Sequence, residues 1–384
     1  MGITLADCYN TRQFRKLAKA RLPAPIFHYI DGAADDEVTY RRNTEAYESC
    51  DLVPNVLAGV ADIDLSTTVM GIPMDLPLFL SPTALQRLFH HDGERAVGRA
   101  AEAFNTLFGI SSLATVGIEE IGRTIRTPKI FQLYYHKDKA LTWGMIDRCR
   151  EANFDALALT VDTIVGGNRE RDLWTGFTSP PKLTPASLLS FATHPAWTWH
   201  YLMGEPFELP NLKDHIPEGS NVSISVSDYF STMLDQTMDW DAAAEVRERW
   251  GKAFCLKGIM SVADAKKAVE IGADAIMVSN HGGRQLDGSR APFDQLAEIV
   301  DAVGGQIDVI CDGGIQRGTH VLKALSLGAK ACSGGRWYLY ALAGAGEAGV
   351  KRALTNLQAE LVRDMKLMGA TSIADLGRHN LRFR

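Results

Sequence analysis

Cysteine pairs at the spacing of metal or redox sites are missing from this sequence. Its 384 residues include six cysteines, and no two of them form a C-x-x-C motif. Cys255, Cys311 and Cys332 each lie within a short apolar run, and we interpret them as buried thiols. Scattered cysteines of this kind are typical of proteins in a reducing compartment. We therefore expect a cytoplasmic protein with neither a disulfide framework nor a metal site.

An uninterrupted apolar run long enough to cross a membrane is missing too. Residues 183–204 come nearest, because they contain no Asp, Glu, Lys or Arg, but Pro195 interrupts them. Trp197, Trp199 and Tyr201 make this segment aromatic, whereas a helix that lies on anionic lipid carries a Lys- or Arg-rich face. We interpret the segment as one that packs on the rest of the protein or on a neighbouring subunit. Peripheral contact with the inner membrane is the alternative.

The chain carries no surplus of positive charge. Its formal net charge at pH 7 is −6, which argues against a nucleic-acid binder. With 46% apolar and 22% charged residues it has the composition of an ordinary globular protein with a large core. The length alone would allow two or three domains, although an α/β barrel of this size is often a single domain.

Short apolar runs alternate along the chain with segments of helical periodicity. Each run is about as long as a buried parallel strand. Segments 11–21, 261–271, 293–303 and 319–327 have the polar–apolar pattern of helices. Eight strands that alternate with helices predict a (β/α)₈ TIM barrel, in the α/β class. The eight runs are 76–80, 106–111, 130–133, 156–161, 253–257, 275–279, 308–311 and 330–333.

The pattern predicts a single domain over residues 1–384, with two additions to the barrel. Residues 1–70 precede the first strand as an N-terminal helical extension, and residues 163–238 form a long insertion after the fourth strand. The barrel itself is expected at 71–162 and 239–365. So long an insertion in a compact domain is usually a lid or a binding loop.

Polar residues end each of the eight predicted strands. Active sites of (β/α)₈ barrels lie at these carboxyl ends, and polar groups at so many buried ends are hard to explain by packing. The last two ends, 312–314 (Asp-Gly-Gly) and 334–336 (Gly-Gly-Arg), expose backbone N–H groups where this fold usually binds phosphate. Glycine permits a close approach, and Arg336 would add a charge-assisted contact. We therefore predict a phosphate site there.

Four charged or titratable side chains at these ends suggest chemistry. Lys257 ends a buried strand and needs an anionic partner, such as a reduced flavin ring, unless it is a Schiff-base lysine as in aldolases. His281 suits a general base near neutral pH, and Arg284 suits bidentate binding of a carboxylate. Asp162 could hold His281 in one tautomer and stabilise its protonated form.

Residues 279–287, Ser-Asn-His-Gly-Gly-Arg-Gln-Leu-Asp, resemble the signature of the FMN-dependent L-2-hydroxy acid oxidases and dehydrogenases. That family includes glycolate oxidase, L-lactate dehydrogenase and mandelate dehydrogenase. Similar motifs run from residues 22–23 to 346–350 and thus cover nearly the whole chain. The resemblance implies FMN as the cofactor and oxidation of a small L-2-hydroxy acid to the 2-oxo acid. Electrons would pass to a quinone, a cytochrome or O₂, and the protein would be a homotetramer or larger.

The same resemblance implies roles for individual residues. Those for catalysis and substrate binding are His281 as the base, Asp162 as its support, Arg284, Arg169 and Tyr29 on the substrate carboxylate, and Tyr134 near the hydroxyl. Those for FMN are Pro82, Thr83 and Ala84 near N5, Ser111, Gln132 and Thr160 along the isoalloxazine, Lys257 at N1 and O2, Ser279, and Asp312, Gly314, Gly335 and Arg336 toward the ribityl phosphate.

One position departs from the family. Its members often carry arginine where this chain has Gln316, on the phosphate side of the cofactor. Two alternatives follow: either Arg317 compensates, or the phosphate is held more weakly, mostly by backbone groups and Arg336. We expect FMN to bind in either case.

The substrate and its alternatives follow from other positions. Ala84 and Leu113 resemble the pocket of lactate-acting members and favour a short aliphatic acid, L-lactate first. Segment 168–173 is closer to mandelate dehydrogenase, so a mandelate- or glycolate-type acid is the alternative. Outside the family, the barrel could be an isomerase, or an aldolase that uses Lys257 as a Schiff base. A non-catalytic relative is disfavoured, because residues such as His281 and Arg284 are intact.

Overall fold

The computed structural model describes residues 2–177, 183–213 and 232–384. Eight parallel strands form a closed barrel in which the last strand pairs with the first, which confirms the predicted fold. Three short strands, β1 (Cys50–Leu52), β2 (Thr67–Val69) and β3 (Ile72–Met74), precede it. The barrel strands are β4 (Leu78–Thr83), β5 (Phe108–Ser111), β6 (Lys129–Leu133), β7 (Ala156–Thr160), β8 (Ala253–Lys257), β9 (Ala275–Val278), β10 (Asp308–Asp312) and β11 (Ala331–Gly334).

The strands form where the apolar runs predict them, because nearly every residue in them is buried from both faces. β6, β7 and β9 are buried along their whole length. The largest shift is at β4, which was expected at 76–80 and instead begins at Leu78 and ends at Thr83. Pairing with β11 begins at Leu78, opposite Cys332, and an irregularity between Leu80 and Thr83 carries the strand further toward the site.

Helices follow most barrel strands and surround the sheet. Asn10 caps the first one, since its side chain accepts from the backbone N–H groups of Arg12 and Gln13. The four helices predicted from periodicity are present within one residue of the expected bounds. The helices are α1 (Thr11–Arg21), α2 (Ala24–Asp31), α3 (Val38–Glu45), α4 (Gly93–Glu102), α5 (Ile118–Thr124), α6 (Lys139–Glu151), α7 (Glu170–Thr175), α8 (Pro185–Ala192), α9 (Pro195–Met203), α10 (Trp240–Trp250), α11 (Val262–Glu270), α12 (Pro292–Val303), α13 (Gly318–Ser326) and α14 (Arg336–Met368).

The N-terminal extension is built into the barrel. Helix α1 packs along α14, and β1 pairs with the C-terminal strand β12 (Leu381–Phe383). Asp287, the last residue of the signature segment, accepts from the backbone N–H groups of Val38 and Thr39 at the start of α3. The extension therefore reaches the carboxyl ends of the barrel strands, where the site lies.

The described part of the insertion has two different sides. On the inner side of α9, the Trp197 Nε1–H donates to the backbone oxygen of Leu88 at 2.7 Å. This side packs as expected for an element that covers the barrel. The outer side stays apolar and exposed, with Leu189 at 66%, Leu202 at 70% and Met203 at 66% of full exposure. Among the described residues, no helix is both long and apolar enough to cross a membrane.

Candidate active site

One pocket opens at the carboxyl ends of the barrel strands. Its empty space, counted with its open mouth, is about 1240 Å³, enough for a cofactor and a small substrate together. All but two of the predicted site residues line it, and the exceptions, Asp162 and Ser279, lie directly behind His281 and Lys257. The lining members are Tyr29, Pro82, Thr83, Ala84, Ser111, Gln132, Tyr134, Thr160, Arg169, Lys257, His281, Arg284, Asp312, Gly314, Gly335 and Arg336.

A hydrogen-bonded pair, His281 and Asp162, stands at the junction of β7 and β9. The His281 Nδ1 lies 2.9 Å from the Asp162 Oδ1, and the Thr163 hydroxyl bridges the pair, 3.1 Å from the same ring nitrogen. With Nδ1 bonded to a carboxylate, the Nε2 atom remains for chemistry in the pocket. Backbone geometry sets this orientation, since His281 itself has a φ of 56°. Two residues after His281, the close packing requires a glycine, because a Cβ at Gly283 would meet the Tyr40 backbone nitrogen at 2.7 Å.

The charges around this pair keep the histidine neutral and the aspartate ionised. Burial lowers the pKa of His281, Lys257 and Arg284 lower it further, and Asp162 opposes the shift. Burial alone would raise the pKa of Asp162, but its interaction with His281, the positive charge of Lys257 and a hydrogen bond from Thr163 outweigh it and hold that pKa below its usual value. At neutral pH, His281 is therefore ready to accept a proton, and Asp162 is ready to stabilise the imidazolium.

Two guanidinium groups face the same space. Arg284 lies 4.9 Å above the Tyr29 ring and donates through Nη1 to the backbone oxygens of Tyr29 and Gly32. Arg169 lies 5.9 Å from the same ring. Burial and the proximity of Arg169 lower the pKa of Arg284 to about 9, so its charged form is destabilised at this position. An anion bound between the two would offset this repulsion, which suits a substrate carboxylate.

Tyr134 adds a hydroxyl to this end of the pocket. Burial, with the Asp162 carboxylate nearby, raises the pKa of Tyr134. The hydroxyl therefore stays protonated and can donate a hydrogen bond to a substrate oxygen.

Lys257 is fixed by Asp312 at the bottom of the pocket. Its Nζ lies 3.5 Å from the Asp312 Oδ2 and 3.3 Å from the Ser279 hydroxyl. The Asp312 carboxylate also accepts from the hydroxyls of Ser81, Ser279 and Ser333. Burial lowers the pKa of Lys257, but Asp312 and Asp162 outweigh it and raise the pKa above its ordinary value. A Schiff base needs a neutral amine, so this charged lysine argues against the aldolase alternative.

The loops after β10 and β11 form the other end of the pocket. Gly314 has a φ of 72°, and a Cβ there would collide with the backbone oxygen of Asn43. Gly335 precedes α14, and Arg336 lies over the Tyr40 ring at 4.4 Å. These loops bring backbone N–H groups and the start of a long helix to the pocket, as expected for a phosphate site.

Comparison with known proteins decides what kind of site this is. The family model of FMN-dependent dehydrogenases matches residues 18–383. The chain belongs to the FMN-dependent dehydrogenase family. It is 38% identical to an L-lactate dehydrogenase of Vibrio cholerae over 372 residues, 96% of this chain and 97% of the relative. It is 37% identical to glycolate oxidase 5 of Oryza sativa subsp. japonica over 377 residues, 98% of this chain and 96% of the relative.

A solved structure agrees with the sequence relatives. The crystal structure of the monotopic membrane protein (S)-mandelate dehydrogenase superposes with a TM-score of 0.93 at 31% identity, covering 98% of this chain and all of that chain (100%). The predicted family and its cofactor, FMN, are confirmed, and this FMN-dependent dehydrogenase is an oxidoreductase of 2-hydroxy acids.

The residues of this FMN-dependent dehydrogenase fit a flavin ring. The Gln132 Nε2 and the Thr160 Oγ1 are buried at the pocket wall, and no described residue accepts from or donates to them. Ser111 orients the glutamine, because its hydroxyl donates to the Gln132 Oε1 at 2.9 Å. Buried polar atoms without partners are costly, so a ring edge rich in nitrogen and oxygen would satisfy them.

Sequence reasoning missed the part of the pocket that α3 supplies. Tyr40, Asn43 and Thr44 line it, and the Asn43 and Asn280 side-chain amides donate to each other at 2.8 and 2.7 Å. Both asparagines are buried, which fastens α3 to the loop that carries His281. The residues lie 237 positions apart, so no local spacing could reveal the contact. The only local signal was a polar residue on the buried face of a short helix.

Proposed function

We propose that this enzyme oxidises L-lactate to pyruvate, with His281 as the base and FMN as the electron acceptor. The observation that carries the proposal is the neutral His281, paired with Asp162, facing the two cations Arg284 and Arg169 in one buried pocket. A 2-hydroxy acid has a carboxylate next to its reacting carbon, so one anion site and one base are what its oxidation requires.

Binding would begin with the carboxylate. Arg284 keeps its Nε and Nη2 groups for a ligand, since its hydrogen bonds to the main chain of the described residues use Nη1 alone. Together with Arg169 it would hold the carboxylate, and Tyr29 would line the same space. The substrate hydroxyl would then lie toward Tyr134 and His281, at the end of the pocket where β6 and β9 finish.

The proton steps belong to His281 and Asp162. His281 would take one proton from the substrate through Nε2, and Asp162 would stabilise the resulting imidazolium through Nδ1. The bound carboxylate helps, because it offsets the positive charge of Arg284, one of the groups that lower the pKa of His281.

FMN, when bound, supplies the two-electron oxidation that no amino-acid side chain can perform. Gln132, Thr160 and Lys257 would hold its ring, and the loops that carry Gly314 and Gly335 would lie at its phosphate, with Arg336 beside them. The charged Lys257 would stabilise negative charge that the ring gains on reduction.

Ala84 and Leu113, which resemble the pocket of lactate-acting members, favour a short side chain on the substrate. Ala84, Leu113 and Phe89 line the pocket, and Phe89 stacks on Tyr29 with ring centres 6.1 Å apart. A mandelate-type acid is the second candidate, because the TM-score to (S)-mandelate dehydrogenase is 0.93. A phenyl substituent would have to lie in the space next to Phe89.

Anaerobic mixing with a panel of L-2-hydroxy acids tests the proposal. We expect L-lactate to bleach the flavin absorbance fastest, glycolate more slowly and (S)-mandelate least. Faster bleaching by (S)-mandelate would replace lactate by mandelate, and bleaching by none of the acids would refute the function. The same reaction in air, with peroxide detection, distinguishes O₂ from a quinone or cytochrome as the acceptor.

We further propose a homotetramer or larger assembly in the cytoplasm, with peripheral contact to the inner membrane through residues 183–204. Support comes from the exposed Leu189, Leu202 and Met203 on the outer side of α8 and α9. Flotation with lipid vesicles tests the contact: the wild type should float with them, and a variant with Leu202→Glu and Met203→Glu should not. Equal flotation of both would contradict it, and light scattering measures the assembly.

A further inference from the structure

Gln316 lines the phosphate end of the pocket, after β10 and next to α1 and α3. The Gln316 Nε2 donates to the Thr44 hydroxyl at 3.1 Å, and the Gln316 backbone oxygen accepts from the Thr11 hydroxyl at 3.1 Å. The Gln316 N–H points to the Nδ1 of His320, 3.3 Å away. Burial lowers the pKa of His320 to about 4, so this imidazole is neutral and can accept. The hydrogen-bond partners of Gln316 among the described residues are thus all uncharged.

Arg317, the nearest arginine in the sequence, does not bring a positive charge into this end of the pocket. Arg317 forms an ion pair with Glu360 at 2.6 Å, and the same carboxylate accepts from the Gly318 N–H at 2.7 Å. Glu360 is mostly buried, with 12% of its side chain exposed, so the pair is well fixed. Gln316 lines the FMN pocket, whereas Arg317 is not among the described residues that do.

Among the described residues, Arg336 is the arginine that lines this end, and it already donates to the main chain. Arg336 donates through Nε, Nη1 and Nη2 to the backbone oxygens of Ile30, Gly282 and Gly32, at 3.0, 2.7 and 2.7 Å. These bonds join α2 to the loop that carries His281. Only the second N–H of Nη1 and of Nη2 is left for a phosphate, because each of these bonds that it displaced would leave a carbonyl without its donor.

Neutral donors remain at this end. Helix α14 begins here without a side-chain cap, and Gly335, Arg336 and Trp337 at its start line the pocket, so the backbone N–H groups of its first turn are close to a ligand there. The Trp337 Nε1, in the first turn, is buried, and no described residue accepts a hydrogen bond from it. Thr44 and Gln316 add a hydroxyl and an amide.

We propose that this chain holds the FMN phosphate mainly through neutral hydrogen-bond donors, because Gln316 replaces a cation there and Glu360 keeps Arg317 outside the pocket. The proposal rests on FMN binding and is independent of which acid is oxidised. It has a measurable consequence: removing the phosphate from the ligand should cost little. FMN and riboflavin should differ by about tenfold or less in dissociation constant, and salt should weaken FMN binding only slightly.

Calorimetric titration of the flavin-free full-length protein with FMN and with riboflavin tests this. In Gln316→Arg, a guanidinium would reach the phosphate from a side chain that already lines the pocket. We expect FMN to bind about tenfold tighter or more, and riboflavin to stay within about twofold of the wild type. Riboflavin therefore reports that the ring site is intact.

Arg317→Ala is the matched control, because it removes a cation one residue away. It should leave both dissociation constants within about twofold of the wild type. A tenfold loss of FMN affinity in Arg317→Ala, with riboflavin unchanged, would overturn the proposal. So would an unchanged FMN-to-riboflavin ratio in Gln316→Arg. If flavin binds as described but no 2-hydroxy acid bleaches it, the proposed function fails and this inference stands.

Discussion

The two ends of the pocket are built from opposite chemistry. At the reacting end, two arginines and a lysine surround the His281–Asp162 pair, and burial lowers the pKa of Arg284 to about 9. At the phosphate end, Gln316 has only neutral partners among the described residues and Arg336 is bonded to three backbone oxygens. The reacting end therefore holds positive charge that an incoming anion would balance, whereas the cations near the phosphate end, Arg336 and Arg317, already have partners within the protein. Substitutions at the reacting end should accordingly have the larger effects.

The largest effect is expected from removal of the base. His281→Gln should keep its flavin and lose turnover by on the order of 10⁴-fold, the upper range for a general base. The flavin absorbance spectrum and steady-state rates with the best acid of the panel measure the two properties.

The backbone at this position calls for a second variant. Because His281 has a φ of 56°, glutamine is strained there, and asparagine tolerates the left-handed region better. His281→Asn should lose as much turnover as His281→Gln. Activity near that of the wild type in either variant would show that another group takes the proton.

The sequence predicts those features of the two ends that depend on neighbouring residues, and not those that depend on residues far apart in the chain. The barrel and the reacting end follow from local signals: apolar runs give the strands, and each strand's last residues give the site. His281, Lys257 and Asp312 were found this way, since a parallel barrel brings all carboxyl ends to one face. Strand limits were less accurate, as β4 shows, because pairing with β11 rather than hydrophobicity decides where it begins.

The phosphate end shows why the remaining contacts could not be predicted from the sequence. Sequence left open whether Arg317 compensates for Gln316, and the answer depends on Glu360, 43 residues away on α14. The contribution of α3 likewise depends on the Asn43–Asn280 pair. Such contacts follow from how helices pack around the barrel, which periodicity does not encode. Individual roles at the site remain predictions that the variants test.

The next effect concerns Asp162 and is best seen as a function of pH. In the wild type, burial, Lys257 and Arg284 lower the pKa of His281, and the neutral imidazole is the active form. The kcat/KM should therefore be level around pH 7 and fall, by about tenfold per pH unit, only below the ordinary histidine pKa of 6.5. An acid limb above pH 6.5 would contradict this assignment.

Asp162→Asn should both slow the enzyme and move that limb. The carboxylate is the group that raises the pKa of His281, so its removal shifts the limb to lower pH. It also removes the support for the imidazolium, which should lower the plateau by about 10²- to 10³-fold. A pH profile of kcat/KM measures both. A lower plateau with an unmoved limb would assign Asp162 to folding instead of to the proton step.

A smaller effect is expected from a substitution that keeps the positive charge and changes only the shape of the side chain. Arg169→Lys retains a cation but loses the planar fork, so KM for the acid should rise by about tenfold, with less change in kcat. Arg171→Lys is the matched control, since Arg171 pairs with Asp31 and Glu37 outside the pocket. If KM rises equally in both variants, the effect comes from the local fold and not from the carboxylate.

The smallest effect should come from Thr163, which touches the pair without carrying charge. Its hydroxyl donates to the Asp162 Oδ1 at 2.9 Å and lies 3.1 Å from the His281 Nδ1. Thr163→Val keeps the shape and removes one neutral hydrogen bond, so kcat should fall by about two- to tenfold with the acid limb unmoved. If Thr163→Val instead reproduced the full loss of Asp162→Asn, the hydroxyl would be the true support of His281. The reacting end would then depend on an uncharged hydrogen bond to His281. In that case the two ends of the pocket would differ less in chemistry than their charges suggest.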